Sequence, residues 1–182
     1  MGLKVADVVL EAGTGTGRDT TKLYTKPEEI AEFIKLVETA ARGVARFLQV
    51  DQYPMVVTGC WANINPPGAY HPIHHHPNNY LSGVYYVAIP DAGSRIDFQD
   101  PRGQASMIMP RPRQYTRLTA NGANAESKAG RLLIFPAWLK HTVPANAGTA
   151  DRISISFNLM FANFPEARAA PMWDATAGKD KG

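Results

Sequence analysis

The sequence predicts a mainly β protein of the α+β class, in which one long helix precedes a β-sandwich or jelly roll. One amphipathic helical pattern lies before residue 52, and after it short β-rich runs recur, separated by proline, glycine and asparagine. At 182 residues, the chain has the length of one domain with a substantial apolar core. We therefore expect a single domain over residues 1–182, with its core at 53–164.

The helix is expected over about residues 27–48. Thr25 and Glu28 have the spacing of a capping box, and Pro27 suits a first helical turn. Apolar residues then recur every three or four positions, at Ile30, Phe33, Ile34, Val37, Ala41, Val44 and Phe47. Because such a stripe must be buried against a broad apolar surface, we expect the helix to pack on a sheet.

The strands are expected in six short runs after residue 52. Turn sequences at 66–68 and 90–93 separate some of them, and 101–112 predicts a longer loop broken by one short strand. Residues 11–22, rich in glycine and threonine, predict a loop, and the chain from about residue 174 predicts a loose tail. The expected strands are 55–65, 80–89, 94–99, 105–109, 131–136 and 152–161.

The composition argues against several classes of protein. The formal net charge of +3 is small and no long lysine or arginine run occurs, so we expect no nucleic-acid partner. No apolar stretch approaches the roughly 20 residues that span a bilayer, and the N-terminus has no signal-peptide pattern. Cys60 is the sole cysteine, which excludes an internal disulfide. We therefore expect a cytoplasmic protein without a membrane partner; its apolar strand edges are compatible with a homodimer.

The histidines suggest a metal site. Four of the five lie between residues 71 and 76, and the fifth, His141, lies in a second strand-like region. On a strand, His74 and His76 would project from one face while His75 is turned away. Three imidazoles on one face of an octahedron leave positions for oxygen and a co-substrate, as non-haem Fe(II) oxygenases require. His71 is expected beside the ligands or on the surface.

Two alternatives to this ligand set stay open. The usual set in such oxygenases is two histidines and one carboxylate, and His76 stands where the acid would be. Asp97 or Asp100 is the alternative source of a carboxylate. The other alternative is a polar, histidine-rich loop that binds no metal.

A strand near the C-terminus suggests an anion pocket. Its alternating pattern places Arg152, Ser154 and Ser156 on one face and apolar residues on the other. An arginine on an inward face needs an anionic partner, because a buried unpaired charge is very costly. A carboxylate bound bidentately suits a guanidinium, and the Ser154 hydroxyl could join it. The alternative is a surface arginine on an edge strand.

Several fragments resemble the Fe(II)/2-oxoglutarate-dependent dioxygenases over about residues 55–161. The fragments are Asn63-x-Asn65-x-x-Gly68 before His74-x-His76, then Ser82-Gly83-Val84-Tyr85-Tyr86-Val87, Gly130-Arg131-Leu132-Leu133-Ile134-Phe135-Pro136, His141-x-Val143 and Arg152-x-Ser154. The chain is most similar to a bacterial and phage subfamily in which His-x-His is part of the pattern. The resemblance implies a double-stranded β-helix, a cupin-like jelly roll supported by the N-terminal helix.

The same resemblance implies the roles of individual residues. His74, His76 and His141 would bind Fe(II). The co-substrate 2-oxoglutarate would be bound by Arg152, Ser154, Tyr86, Asn63 and Asn65. The implied reaction couples oxidative decarboxylation of 2-oxoglutarate to hydroxylation of a small-molecule or peptide substrate by molecular oxygen. Because neutral His76 replaces an acid, Zn(II), Ni(II) or Cu(II) could compete with iron for the site.

Two other functions fit the same residues. A cupin-like three-histidine dioxygenase would need no 2-oxoglutarate, and Arg152 would then bind the carboxylate of the substrate itself. A non-catalytic metal-binding or ligand-binding jelly roll is the third candidate. Separately, the arginines of the loop after residue 100 suggest either a basic lid over an anionic substrate or a solvated basic hairpin loop: Arg102, Arg111, Arg113 and Arg117.

Overall fold

The computed structural model describes residues 18–19, 27–103, 107–108, 110–116 and 119–164. Over these ranges the chain forms one long helix, α1, and nine strands, β1 to β9. The helix is Pro27–Phe47. The strands are β1 Arg18–Asp19, β2 Met55–Asn65, β3 His71–His74, β4 Leu81–Ala88, β5 Arg95–Gln99, β6 Gly122–Glu126, β7 Leu132–Pro136, β8 His141–Val143 and β9 Arg152–Phe161.

The strands form two antiparallel sheets. The larger has five strands in the order β1-β2-β9-β4-β7, and the smaller has four in the order β3-β8-β5-β6. The inner faces of the two sheets enclose one cavity, to which β2, β4 and β9 contribute from one side and β3, β5 and β8 from the other. This arrangement confirms the predicted double-stranded β-helix.

Helix α1 covers the outer face of the larger sheet, as its apolar stripe predicted. Phe33 is 3% exposed and packs edge-to-face on Phe157 and Tyr85, with ring centroids 6.1 and 5.8 Å apart. Below the helix, β4 passes so close to the neighbouring strands that a Cβ atom at Gly83 would lie 2.6 Å from the Leu133 carbonyl oxygen. The main apolar core therefore lies between α1 and the sheet, outside the cavity.

The inner face of the larger sheet is largely polar. Strand β9 alternates strictly, so that Ile155, Phe157 and Leu159 join the core under α1 while Arg152 and Ser154 line the cavity. A smaller apolar cluster closes the other side of the cavity; it contains Val84, Tyr86, Ile96 and Phe135. The alternation that the sequence shows in this strand thus separates a core face from a site face.

Some expected elements differ from the structure. The chain at Arg18–Asp19 pairs with β2, where a loop was expected, and the short strands β3, β6 and β8 were not among the expected runs. At the expected strand 105–109, the described residues Met107 and Ile108 lie in a turn with exposed side chains. Pro110 follows that stretch directly and has no backbone N–H to donate to a sheet. The remaining residues of that run, and the expected tail from 174, lie outside the described residues.

Within the described part of the chain, no helix is both long and apolar enough to cross a membrane.

Candidate metal and co-substrate site

Three histidines meet at one end of the cavity. His74 ends β3 and stands opposite His141, the first residue of β8. His76 follows in the connecting segment, and its backbone N–H donates to the Ala137 carbonyl oxygen at 2.9 Å. One ring nitrogen from each of the three lies within 4.8 Å of those of the other two. His75, between two of them, is exposed.

His74 and His76 lie on the same side, as expected, but the expected reason, alternation along one strand, is wrong. Strand β3 ends at His74, so His76 lies outside it and its position is set by the loop and by its bond to Ala137. The two rings still come within 5.2 Å of each other, measured between centroids. Their proximity therefore comes from the chain direction after β3, which the sequence pattern does not reveal.

Backbone carbonyls orient two of the rings. The Nδ1 atom of His74 lies 2.8 Å from the Pro72 carbonyl oxygen, and Nδ1 of His141 lies 2.8 Å from that of Leu139. Because a carbonyl oxygen only accepts, Nδ1 carries the hydrogen in both rings. The lone pair is then on Nε2, the nitrogen left free to bind a metal ion.

Burial favours the neutral form of His76 and His141. It is the largest cause that lowers the pKa of each from 6.5 to about 4; the neighbouring imidazoles act in the same direction, and the hydrogen bond to Leu139 opposes the shift at His141. At neutral pH these two rings therefore present lone pairs rather than protons. Metal ions bind the neutral form of imidazole, so the trio is chemically suited to a divalent cation.

Aromatic rings surround the three histidines. The ring of Phe135 lies 4.8 Å from that of His141, and the ring of Trp61 lies 5.9 Å from that of His76, both measured between centroids. Trp61 was not among the expected site residues. Its place on the inner face follows from the β2–β9 register, in which it stands opposite Ser156. These rings limit the access of water to the histidines.

The alternative carboxylates are engaged elsewhere. Asp97 forms an ion pair with Arg95 at 2.8 Å, and Asp100 forms one with Arg102 at 2.6 Å. Hydrogen bonds from Arg102 lower the pKa of Asp100 to about 2. Among the described residues that line the cavity, none is an aspartate or a glutamate. The alternative in which Asp97 or Asp100 completes the ligand set therefore has no support in the geometry.

Arg152 lines the same cavity, which has a volume of about 70 Å³. The residue is 2% exposed, and its Nη1 donates to the Ser94 hydroxyl and to the Pro144 carbonyl oxygen, both at 3.1 Å. Its Nη2 atom is buried and has no partner among the described residues. Burial lowers the pKa of the guanidinium. A buried cation with an unpartnered donor atom is chemically suited to bind an anion.

The other expected co-substrate residues lie beside Arg152. In the larger sheet Asn65 stands opposite Arg152, while both Asn63 and Tyr86 stand opposite Ser154. All five line the cavity. The Asn63 amide donates to the Ser156 hydroxyl at 2.9 Å, and burial raises the pKa of Tyr86. Hydroxyl and amide groups thus surround the guanidinium on three strands.

His71 also lines the cavity. Its Nε2 lies 3.1 Å from Oδ1 of Asn65, and burial, followed by the charge of Arg152, lowers its pKa to about 4. The pairing of β3 with β8 explains its direction. His71 stands opposite Val143 and His74 opposite His141, so that three steps along β3 match two along β8. This irregularity turns two residues of opposite parity to the same side, which alternation alone does not predict.

The cavity thus brings together three imidazoles that could bind a metal ion and a buried guanidinium that could bind an anion. Comparisons with known proteins point to a family whose name includes both a metal ion and a dicarboxylate co-substrate. A family model described as "Putative 2OG-Fe(II) oxygenase" matches residues 59–158, a range that includes His74, His76, His141 and Arg152. No curated protein matches the chain in sequence.

Solved structures of low sequence identity share the fold. The non-heme alpha ketoglutarate dependent epimerase SnoN from nogalamycin biosynthesis is 13% identical with a TM-score of 0.58, over 94% of this chain and 80% of that chain. A Pseudomonas putida prolyl-4-hydroxylase is 16% identical with a TM-score of 0.53, over 84% and 77% of the two chains. An oxidoreductase of the 2OG-Fe(II) oxygenase family from Burkholderia pseudomallei is 17% identical with a TM-score of 0.52, over 89% and 69%.

The family match spans more than half of the chain and contains the residues that enclose the cavity. The expected oxidoreductase class, iron and 2-oxoglutarate are those that the family name states. With its three clustered histidines, its buried arginine and this match, the chain belongs to the 2OG-Fe(II) oxygenase family, whose cofactors are Fe(II) and 2-oxoglutarate.

Proposed function

We propose that the protein is an Fe(II)- and 2-oxoglutarate-dependent dioxygenase that hydroxylates its substrate. One observation carries the proposal: three imidazoles converge in a cavity that also contains a buried, incompletely bonded guanidinium. In the overall reaction, the substrate C–H, 2-oxoglutarate and oxygen give a hydroxylated product, succinate and carbon dioxide. When bound, the iron supplies the oxidative chemistry of this reaction.

The three histidines are proposed as the metal ligands. His74 and His141 reach the site with their Nδ1 hydrogens already bonded to backbone carbonyls, which fixes the ring planes before a metal binds. His76 completes the set from the loop after β3. All three are neutral donors in this proposal, so that the protein adds no negative charge to the metal.

Arg152 is proposed to bind the distal carboxylate of 2-oxoglutarate. The free Nη2 donor and the cost of leaving a guanidinium buried without a counterion both favour a carboxylate at this position. Ser154, two residues along β9, and Tyr86, on the neighbouring strand β4, offer hydroxyl donors. Asn63 and Asn65 complete the polar wall, and their side chains are held by Ser156 and His71.

Apolar side chains on the remaining walls would keep water out. Val84, Ile96 and Phe135 line the cavity and belong to one apolar cluster. Exclusion of water strengthens the interaction of Arg152 with a carboxylate, since the local dielectric constant falls. It also protects a reactive site from side reactions.

A three-histidine dioxygenase that does not use 2-oxoglutarate is the second candidate. The all-histidine ligand set favours it, since no described acid lines the cavity. Arg152 would then bind a carboxylate of the substrate. The two candidates differ in one measurable property: only the first consumes 2-oxoglutarate.

The test is succinate formation from 2-oxoglutarate by protein loaded anaerobically with Fe(II). We expect turnover in the native protein and its loss in His141→Ala and in Arg152→Ala. His75→Ala and Arg95→Ala are matched controls, because both residues are exposed and lie outside the cavity. Unchanged turnover in either site variant would refute the assignment. Oxygen uptake without consumption of 2-oxoglutarate would favour the second candidate.

A further inference from the structure

Two buried polar atoms lack a hydrogen-bond partner within the described part of the chain, and both belong to one cluster of side chains. They are Nη2 of Arg152 and the hydroxyl oxygen of Ser127, in residues that are 2% and 3% exposed. Such atoms are rare in native proteins, because burial has removed their hydrogen bonds to water. Arg152 already has a proposed partner, the distal carboxylate of 2-oxoglutarate, whereas the Ser127 hydroxyl has none.

The backbone holds Ser127 between two groups of the co-substrate site. Ser127 directly follows β6, and its N–H donates to the Ser94 carbonyl oxygen at 2.8 Å. The Ser94 hydroxyl in turn accepts a hydrogen bond from Nη1 of Arg152 at 3.1 Å. Further along, the N–H of Gly130 donates to the Tyr86 carbonyl oxygen at 2.8 Å. One short segment therefore contacts both the residue that orients Arg152 and the strand that carries Tyr86.

The side chain of Ser127 lies beside that of Tyr86. Burial raises the pKa of Tyr86, and hydrogen bonding by Ser127 opposes this rise. Because the Ser127 hydroxyl has no partner of ordinary geometry among the described residues, the two hydroxyl groups are neighbours that are not aligned. Tyr86 lines the cavity, whereas Ser127 lies behind it. We therefore expect Ser127 to act on a bound molecule through Tyr86 rather than by direct contact.

We propose that Ser127 is a positioning residue of the co-substrate site, which orients the Tyr86 hydroxyl towards the distal carboxylate of 2-oxoglutarate. This inference rests on the proposed function. A phenolic hydroxyl both donates and accepts, so when Tyr86 donates to the carboxylate its oxygen accepts the hydrogen of Ser127. The carboxylate thereby satisfies both unpartnered groups, Arg152 directly and Ser127 through Tyr86. Connected hydrogen bonds of this kind strengthen one another in a buried site.

The test is calorimetric titration of 2-oxoglutarate into protein loaded anaerobically with Fe(II). We expect Ser127→Ala to bind it about three- to tenfold more weakly than the native protein, the effect of one lost hydrogen bond. Ser127→Cys should show a similar loss, because a thiol fills the space but is a weak donor, whereas Ser127→Thr keeps the hydroxyl and should keep most of the affinity. In turnover, KM for 2-oxoglutarate should rise in Ser127→Ala while kcat changes little.

Ser82→Ala is the matched control. Ser82 is also a buried serine beside the larger sheet, at 1% exposed, but its hydroxyl is already bonded to Oδ1 of Asn158 at 2.7 Å and does not line the cavity. We expect this variant to bind 2-oxoglutarate with native affinity, whatever it does to stability.

Two further comparisons separate positioning from a general effect on the fold. In a Tyr86→Phe background, Ser127→Ala should cause no additional loss, because the group that transmits its effect is already absent. The second comparison uses 2-oxopentanoate, which has a methyl group in place of the distal carboxylate. It should bind equally to the native protein and to Ser127→Ala.

Native affinity in both Ser127→Ala and Ser127→Cys would overturn the inference. An undiminished loss in the Tyr86→Phe background, or an equal loss for 2-oxopentanoate, would also overturn it, since Ser127 would then act on the fold and not through Tyr86. If Ser127→Ala does not fold, Ser127→Cys and Ser127→Thr provide the same comparison. The proposed function fails separately, when 2-oxoglutarate does not bind to the native iron-loaded protein.

Discussion

His74 and His141 stand directly opposite each other on the paired strands β3 and β8, with their ring centroids 4.3 Å apart. Two of the three proposed ligands are therefore fixed by the register of one strand pair. The third, His76, comes from the loop that follows β3. A metal ion bound by all three would join the end of β3, this loop and the start of β8, so metal binding and the stability of the smaller sheet are coupled.

We expect a divalent metal to raise the unfolding temperature of the native protein. A ligand that binds only the folded state stabilises it by about 2.7 kcal/mol at 100 times its dissociation constant. In His141→Ala this stabilisation should be lost, while in His75→Ala it should remain, since His75 is exposed. Differential scanning fluorimetry with Fe(II) or Co(II), and then with a chelator, measures both. Equal stabilisation of the two variants would contradict the ligand assignment.

We expect His76→Asp to shift metal preference towards Fe(II). The change replaces a neutral nitrogen donor by an anionic oxygen donor, which restores the two-histidine and one-carboxylate set typical of non-haem iron oxygenases. Competition between Fe(II) and Zn(II), measured by metal content after dialysis against both, tests this. His76→Ala is the matched control, because it removes the ligand without adding charge. A variant with the native preference would show that residue 76 does not contact the metal.

We expect Arg152→Met to weaken the binding of 2-oxoglutarate strongly while metal binding persists. Loss of one partner of a buried ion pair costs about 2–5 kcal/mol of binding free energy. Methionine roughly preserves the aliphatic volume of the side chain, so the fold should tolerate it. Calorimetry of 2-oxoglutarate binding to metal-loaded protein gives the result, with Arg95→Met as control because Arg95 is exposed and paired with Asp97. Native affinity in Arg152→Met would place the co-substrate elsewhere.

We expect the metal-free protein to lose stability as the pH falls from 6.5 towards 4. The pKa values of His71, His76 and His141 lie at about 4 in the folded state against 6.5 for free imidazole. Between these values the unfolded chain binds more protons than the folded one, so the free energy of unfolding decreases as the pH falls. The stabilising contribution of the neutral rings is fully present above pH 6.5. Urea unfolding at several pH values measures the slope. His71→Phe should flatten it, and an unchanged slope would contradict the burial of this ring.

We expect Gly83→Ala to destabilise the fold by about 1–3 kcal/mol, the usual cost of overpacking. The new methyl group would collide with the fully buried Phe157 ring and with the backbone carbonyl oxygen of Leu133. Gly43→Ala is the matched control. It is exposed on the helix, a Cβ there meets nothing within 4 Å, and it should stabilise by about 0.5–1 kcal/mol. Chemical denaturation of both variants decides the matter.

The long, regular patterns predicted much of this structure. The stripe that begins at Ile30 predicted a helix on a sheet, since its burial requires a broad apolar surface. Its last expected member, Phe47, is instead 86% exposed at the end of the helix. The alternation after Arg152 predicted an inward polar face, because successive side chains of a strand point to opposite sides. His76 and His141 are 65 residues apart, yet the sequence predicted that they share one site, because the order of the motifs resembles that of a known family.

The sequence pattern did not predict the local irregularities of the strands. His71 faces the cavity because β3 pairs unevenly with β8, and no alternation marks that position. Strand β6, Gly122–Glu126, is polar and largely exposed, so it lacks the apolar period that identifies a strand. Trp61 lines the cavity because of its register with β9, where it stands opposite Ser156. In each case the deciding interaction is made with a distant segment, which a local pattern does not contain.

The larger sheet carries its apolar side outwards, under α1, and its polar side inwards. In most sandwiches the main apolar core lies between the two sheets. Here it lies largely between α1 and the outer face of the larger sheet. Side chains such as Ser154 and Asn63 can consequently be exchanged to suit another ligand with little loss of the packing around Phe157. The architecture separates the residues that specify folding from those that specify chemistry, which lets one scaffold acquire new reactions while its stability stays almost constant.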